Sequence, residues 1–187
     1  MNFELNRSEL KRRLKQLGPV GESVRPGRKD GAVLVIFLDQ PQGPSLLFTK
    51  RAANLEEHPG QISFPGGAVE PDDENLITAA LRETFEEVGI RSEELEVLGP
   101  LPCQPVLDHW LIHPFTAWWS APRRLSPDPA EVDRVIISPL SDLGTKHQPN
   151  CWQVPDPARS CHYQISGEPL WGATARITGR LLDALFP

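Results

Sequence analysis

At 187 residues, with 39% hydrophobic and 24% charged side chains, the chain is long enough to bury one sizeable core and too short for two ordinary domains. Its net charge of -6 argues against a nucleic-acid groove, which needs a broad basic surface, and no apolar run approaches the roughly 18 residues of a membrane span. The three cysteines, Cys103, Cys151 and Cys161, match neither an even disulfide framework nor a zinc spacing, so free thiols in a reducing compartment are expected.

The first residues lack the apolar core of a signal peptide. Arg7, Lys11, Arg12, Arg13 and Lys15 cluster as in a mitochondrial presequence, but Glu4, Glu9 and Glu22 interrupt them, which favours the cytoplasm. Asn6 to Leu17 reads as a short amphipathic helix. Asn6 and Glu9 resemble a capping box, Leu10, Leu14 and Leu17 form the apolar stripe, and Gly18-Pro19 stops it. The prolines and glycines that follow read as a linker, giving an N-terminal helix and linker over 1–29 and one domain over 30–187. Ala32 to Leu38 is an unbroken apolar run, the pattern of a fully buried strand. A turn at 40–44 leads to a partner strand, Ser45 to Thr49, with Lys50 and Arg51 at its end. Residues 52–63 form a loop into Phe64, Pro65, Gly66 and Gly67.

A helix is predicted from about Asn75 to Val88, stopped by Gly89, with Asp72 or Asp73 capping its start. At 100° per residue, Glu83, Glu86 and Glu87 share about 100° of arc. Ile77, Leu81, Thr84, Phe85 and Val88 take the opposite arc, which is expected to face the core. Three carboxylates so close repel one another by a few tenths of a kcal/mol per pair, more where solvent is restricted. A divalent cation on this face would relieve that repulsion, and hard oxygen ligands suit Mg²⁺ or Mn²⁺ rather than zinc.

Further on, Leu95–Leu101 and Leu111–Trp119 are strand candidates, the second broken at Pro114. A proline-rich connection spans Ala121 to Ala130. Arg134–Ile137 is a short strand, Ser138–Leu143 one helical turn, and His162–Ile165 a last strand. Ala173–Phe186 closes the chain as a helix with Ala173, Ile177, Leu181 and Leu185 on one side. The whole reads as α/β, a mixed sheet with helices on its faces. His58, His109, His113, His147 and His162 have no metal-ligand spacing. Most of the tryptophans read as core, with Trp110 a candidate to stack on a base.

Gly67, Glu74, Arg82, Glu83, Thr84, Phe85, Glu86, Glu87, Val88, Gly89 and Ile90 together resemble the Nudix box of the Nudix hydrolases, G-x5-E-x7-R-E-U-x-E-E-x-G-U, with U aliphatic. Two departures stand out: six residues rather than five separate Gly67 from Glu74, and Thr84 occupies an aliphatic position. The extra residue falls before the helix, where a loop absorbs it. Leu47 to Gly67 resembles the motif that precedes this box in coenzyme A pyrophosphatases, L-L-T-x-R-(S/A)-x3-R-x3-G-x3-F-P-G-G. It fits at Thr49, Arg51, Ala52, Gly60, Phe64, Pro65, Gly66 and Gly67, with Glu56 in place of the second arginine.

The resemblance implies a Nudix-type α/β/α sandwich with a mixed β-sheet. It also implies a Mg²⁺- or Mn²⁺-dependent pyrophosphohydrolase that splits coenzyme A or acyl-CoA into adenosine 3',5'-bisphosphate and 4'-phosphopantetheine. The same chemistry on ADP-ribose or a dinucleotide, and a non-catalytic Nudix-fold binding module, are the alternatives. Glu83, Glu86 and Glu87 become the metal ligands, joined by the Gly67 carbonyl. The general base is Glu83 or, from a later loop, Glu131. Arg82, four residues before Glu86, reads as a brace for the catalytic face. Arg51 is expected to bind a substrate phosphate, and Gln61, Ser63, Phe64 and Gly66 to line the channel. The implied assembly is a monomer or homodimer.

Overall fold

The computed structural model describes residues 7–17, 27–106, 110–154 and 160–186. Asn6, the linker over 18–26 and His109 lie outside the described residues. In chain order the elements are α1 (Arg7–Leu14), β1 (Lys29–Gln40), β2 (Gly43–Arg51), β3 (Ile62–Ser63), β4 (Gly66–Ala68), α2 (Leu76–Val88), β5 (Leu95–Pro100), β6 (Gln104–Val106), β7 (Trp110–Trp119), β8 (Val132–Pro139), α3 (Leu140–Gly144), β9 (Tyr163–Ile165), β10 (Glu168–Leu170) and α4 (Gly172–Leu185).

The apolar run in β1 makes it the central strand. One edge pairs in parallel with β7, with Ala32 opposite His113 and Leu38 opposite Trp119. The other edge is shared by two antiparallel partners: β4 at its start, with Ala32 opposite Gly67, and β2 at its end, with Ile36 opposite Leu47. Strand β8 runs antiparallel along the far side of β2, while β5 and β6 divide the outer edge of β7. Pro114 does not break β7. Its missing N–H falls between the β6 pairing, which ends at Ile112, and the β5 pairing, which begins at Phe115, and its carbonyl accepts Leu101 N–H at 2.8 Å.

Alternation along β1 divides the core into two. Ala32, Leu34, Ile36 and Leu38 pack with Ala79, Ala80 and Val88 of α2 on one face. Val35 and Phe37 face the other way, with Leu10 and Leu14 of α1 and Leu181, Leu182 and Leu185 of α4. The result is an α/β/α sandwich, as expected, with α1 sharing the core of the rest.

Three further expectations change. Asn75, not an aspartate, caps α2, accepting Thr78 N–H on Oδ1 at 3.0 Å, and Gly89 ends the helix with φ 74°. The buried arc of α2 is Ala79, Ala80, Thr84, Glu87 and Val88, with Ile77 and Leu81 packed at its margin, so of the expected arc only Phe85 turns out, 52% exposed, while Glu87 turns inward. Finally, Cys151 and Cys161 form a disulfide, leaving Cys103 as a thiol beside His113 Nδ1 at 3.3 Å. A short turn at Cys151–Gln153 and the approach to β9 bring those two Cα atoms to 4.9 Å, a proximity that an odd cysteine count conceals.

Candidate active site

Two glycines hold β4 against both β1 and α2. A Cβ on Gly66, which has φ 147°, would lie 2.3 Å from Ala32 O and 2.6 Å from Val33 Cα, so only glycine lets the strands meet there. At Gly67 the Cβ position lies 2.6 Å from the Glu83 Cδ and from both of its carboxylate oxygens. The missing side chain is the space that receives Glu83.

One turn along, Glu87 is 3% exposed. Gly66 N–H donates to its carboxylate, and Thr49 Oγ1, itself 3.2 Å from Ser63 Oγ, approaches Oε2 at 3.5 Å. Burial, helped by repulsion from Glu83 and opposed by the Arg51 guanidinium, pushes Glu87 up to about 8. Glu83 is raised too, first by burial; Arg82 opposes the rise, and Glu86 and Glu131 add to it.

Glu131 reaches this neighbourhood because the proline-rich connection folds back onto the C-terminus of α2. Ser126 N–H donates to Val88 O at 3.2 Å, Asp128 N–H to Glu87 O at 3.0 Å, and Arg123 Nη2 to Gly89 O at 2.7 Å. These satisfy carbonyls that a helix end leaves open. The Glu131 carbonyl then accepts Ala52 N–H at 2.8 Å, tying the loop to the end of β2.

Arg82 is the brace. Its Nε and Nη2 grip Asp73 Oδ1 and Oδ2, both at 3.0 Å, while Nη1 donates to Glu83 at 3.1 Å and Glu86 at 2.9 Å and Nη2 to Ala68 O at 3.2 Å. One planar fork thus joins the loop before α2, the helix face and β4. Asp73, chiefly through Arg82 and then Glu70 N–H, is held below the usual carboxylate range, and Arg82 is pushed further above its own.

The structure therefore gathers Glu83, Glu87, Gly66, Gly67, Thr49, Ser63, Arg51 and Glu131 in one place. Glu86 shares the helix face but is exposed and turned to Arg82. Among the described residues, no three acidic, histidine or cysteine side chains form a finished metal cage. The donor set still fits a divalent cation: two carboxylates raised by burial and by each other, with a third acid near, are relieved by positive charge. Arg51 Nε donates to Glu57 O at 3.3 Å. Gln61 lies farther along the wall, with Nε2 3.6 Å from the Cβ position of Gly172.

Phe64 does not line a channel. It is 1% exposed and stacks on Phe48 with ring centres 4.8 Å apart, so it supports the wall from beneath. Glu70 and Glu74 are exposed. Trp110 begins β7, with the Lys29 ammonium 5.5 Å from its ring centre. Sequence reading assigned no site role to Thr49 or Asp73. Thr49 follows the apolar run of β2 within the coenzyme A pyrophosphatase-like motif, a signal that was available. Nothing in the spacing marks Asp73 as the partner of Arg82.

The mixed sheet with helices on its faces recurs in solved Nudix structures. The chain superposes on a MutT protein from Methanosarcina mazei Go1 with a TM-score of 0.54 and 18% identity, covering 86% of this chain and 96% of that one. It also superposes on the NUDIX domain of Shewanella oneidensis NrtR, complexed with ADP ribose, with a TM-score of 0.50 and 21% identity over 71% and 84%. The NUDIX domain model matches residues 28–156. A protein described as uncharacterized Nudix hydrolase NudL, from Photorhabdus laumondii, is 33% identical over 169 residues, 89% of this chain and 90% of its own. The domain match and the relative together make the chain a pyrophosphohydrolase acting on nucleoside diphosphate derivatives. The chain belongs to the Nudix hydrolase family.

Proposed function

We propose that this Nudix hydrolase cleaves the diphosphate of coenzyme A or an acyl-CoA, releasing adenosine 3',5'-bisphosphate and (acyl-)4'-phosphopantetheine. The observation that carries this reading is the position of the run from Leu47 to Gly67, whose likeness is to coenzyme A pyrophosphatases. Its Thr49 and Arg51 on β2, Ser63 on β3 and Gly66 and Gly67 on β4 form the wall beside Glu83 and Glu87.

Glu83, Glu86, Glu87 and the Gly67 carbonyl are the groups to hold Mg²⁺ or Mn²⁺. Bound there, the cation supplies charge neutralisation for the diphosphate oxygens and makes an attacking water more acidic. The chain supplies the rest. Arg51 offers a planar fork to a phosphate, and its charge already bears on Glu87. Glu83 or Glu131 accepts the proton of the attacking water, and both lie close enough to Glu87 to raise it. Arg82 keeps the helix face from shifting against β4. In this reading it is a positioning residue.

Glu56, in place of the second motif arginine, favours one second reading: the same chemistry on another nucleoside diphosphate derivative such as ADP-ribose. Product chromatography decides, with coenzyme A, ADP-ribose and a diadenosine polyphosphate incubated in parallel with Mg²⁺ or Mn²⁺, each repeated with Glu87→Gln. Adenosine 3',5'-bisphosphate from coenzyme A, lost in the variant, supports the proposal. Turnover confined to another substrate keeps the mechanism and overturns the coenzyme A assignment, and binding without turnover of any substrate points to a binding module.

A further inference from the structure

The disulfide between Cys151 and Cys161 sits beside an open cleft of about 560 Å³, which both cysteines line together with Lys146, Ser160, His162 and Tyr163. The cysteines are nearly buried, at 6% and 2% exposed, and both border the cleft. A polar relay runs from Cys151 to Asp183 on α4. Cys151 Sγ lies 3.7 Å from the Tyr163 hydroxyl, which lies 2.9 Å from His147 Nδ1, and His147 Nε2 lies 2.8 Å from Asp183 Oδ1. Trp152 Nε1 and Asn150 N–H donate to the same Asp183 carboxylate and fix its position. Helix α4 leaves room for the sulfurs only because residue 179 is glycine: a Cβ there would lie 2.4 Å from Cys161 Sγ and 3.0 Å from Cys151 Sγ. A disulfide that only staples two segments needs neither a relay behind it nor a cleft in front. The described lining includes Lys146 and no carboxylate.

We propose that Cys151–Cys161 is a redox-active disulfide that exchanges with small anionic thiols docked in this cleft. An incoming thiolate attacks Cys161 Sγ, forming a mixed disulfide and breaking the Cys151–Cys161 bond. Cys151 leaves with the electron pair and then takes a proton from solvent. A second thiolate displaces Cys161, releasing the small-molecule disulfide and leaving two protein thiols; the reverse sequence, with an oxidised small disulfide as oxidant, restores the bond. Tyr163 is the positioning residue. Burial, and then the charge of Asp183, push its phenol up, so it keeps its proton; that single proton, directed at His147 Nδ1 while the disulfide is intact, turns to the Cys151 sulfur 3.7 Å away as it departs.

The test uses the full chain under native conditions. Alkylatable thiols are counted by mass spectrometry over time with 3-mercaptopropionate, 2-mercaptoethanol or 2-aminoethanethiol at matched thiolate concentration, with Cys103 as internal reference. Cys151 and Cys161 should become alkylatable while the thermal transition remains cooperative. The anionic thiol should be roughly threefold faster than the neutral one, as expected for one exposed charge, and lose that lead in high salt or in Lys146→Ala. Tyr163→Phe should slow exchange and change its pH profile. Release of the two thiols only after denaturation overturns the proposal. So do equal rates for all three reagents, or two free thiols that an oxidised dithiol cannot rejoin. Should Tyr163→Phe fail to fold, the reagent series and Lys146→Ala still decide.

Discussion

Replacing Gly67 by alanine puts a methyl group 2.6 Å from the Glu83 Cδ and both carboxylate oxygens. Ordinary contact needs roughly 3.5 Å, so the carboxylate must retreat by about 1 Å. The obstructing atoms are the end of a flexible side chain, so folding should lose less than about 1 kcal/mol. Turnover is a different matter, because a displacement of about 1 Å at a catalytic group costs on the order of 10²-fold. Gly66→Ala makes the opposite case. Its methyl meets the Ala32 carbonyl at 2.3 Å from a backbone at φ 147°, neither of which yields cheaply, and about 3 kcal/mol or more of stability should go. Calorimetric unfolding and steady-state hydrolysis of the best substrate, run on both variants, separate the two outcomes. A Gly67→Ala enzyme with unchanged kcat, or a Gly66→Ala protein as stable as the parent, would refute the reasoning.

In chelator, the raised pKa of Glu87 should make metal-free protein less stable as pH rises. The folded state holds a proton to about 8 that the unfolded chain releases near 4.5, so the protein is most stable below the lower value and loses up to a few kcal/mol as pH passes through the higher. Thermal melts across that range should show a falling Tm for the parent and a flatter profile for Glu87→Gln, with the variant the more stable at about pH 8. Arg82→Lys keeps the charge but loses the fork on Asp73. It should lower both Tm and kcat near neutral pH, and the Tm deficit should shrink as pH falls through the depressed Asp73 pKa, where the parent loses its ion pair as well. Asn75→Ala removes the α2 cap and should cost about 1 kcal/mol in denaturant unfolding, with KM unchanged.

Long apolar signals made the framework legible in the sequence. β1, β2, β7, α2 and α4 all appear there near their observed places. β3, β4, β6 and β10 do not, since strands of two or three residues carry little periodicity and exist through their partners; of that length only β9 shows, within His162–Ile165. Helical phase placed Glu83, Glu86 and Glu87 on one face but left the width of the core arc open by about one position. That margin decided that Phe85 is exposed and Glu87 buried. Glu131, forty-four residues beyond Glu87, was legible as a candidate and no more, because only the folded connection over 121–131 brings it home. The Cys151–Cys161 pair and the His147 relay depend on tertiary proximity alone.

The central claim is that the Glu83–Glu87 face is a divalent-metal centre for diphosphate hydrolysis. A single titration tests it most directly: chelator-treated protein with coenzyme A, Mg²⁺ or Mn²⁺ added stepwise, and adenosine 3',5'-bisphosphate measured for the parent and Glu87→Gln. The account predicts no product without metal, a saturating rise as metal is added, and a loss on the order of 10²-fold or more in the variant. Product formed in chelator, or a variant as active as the parent, would contradict it.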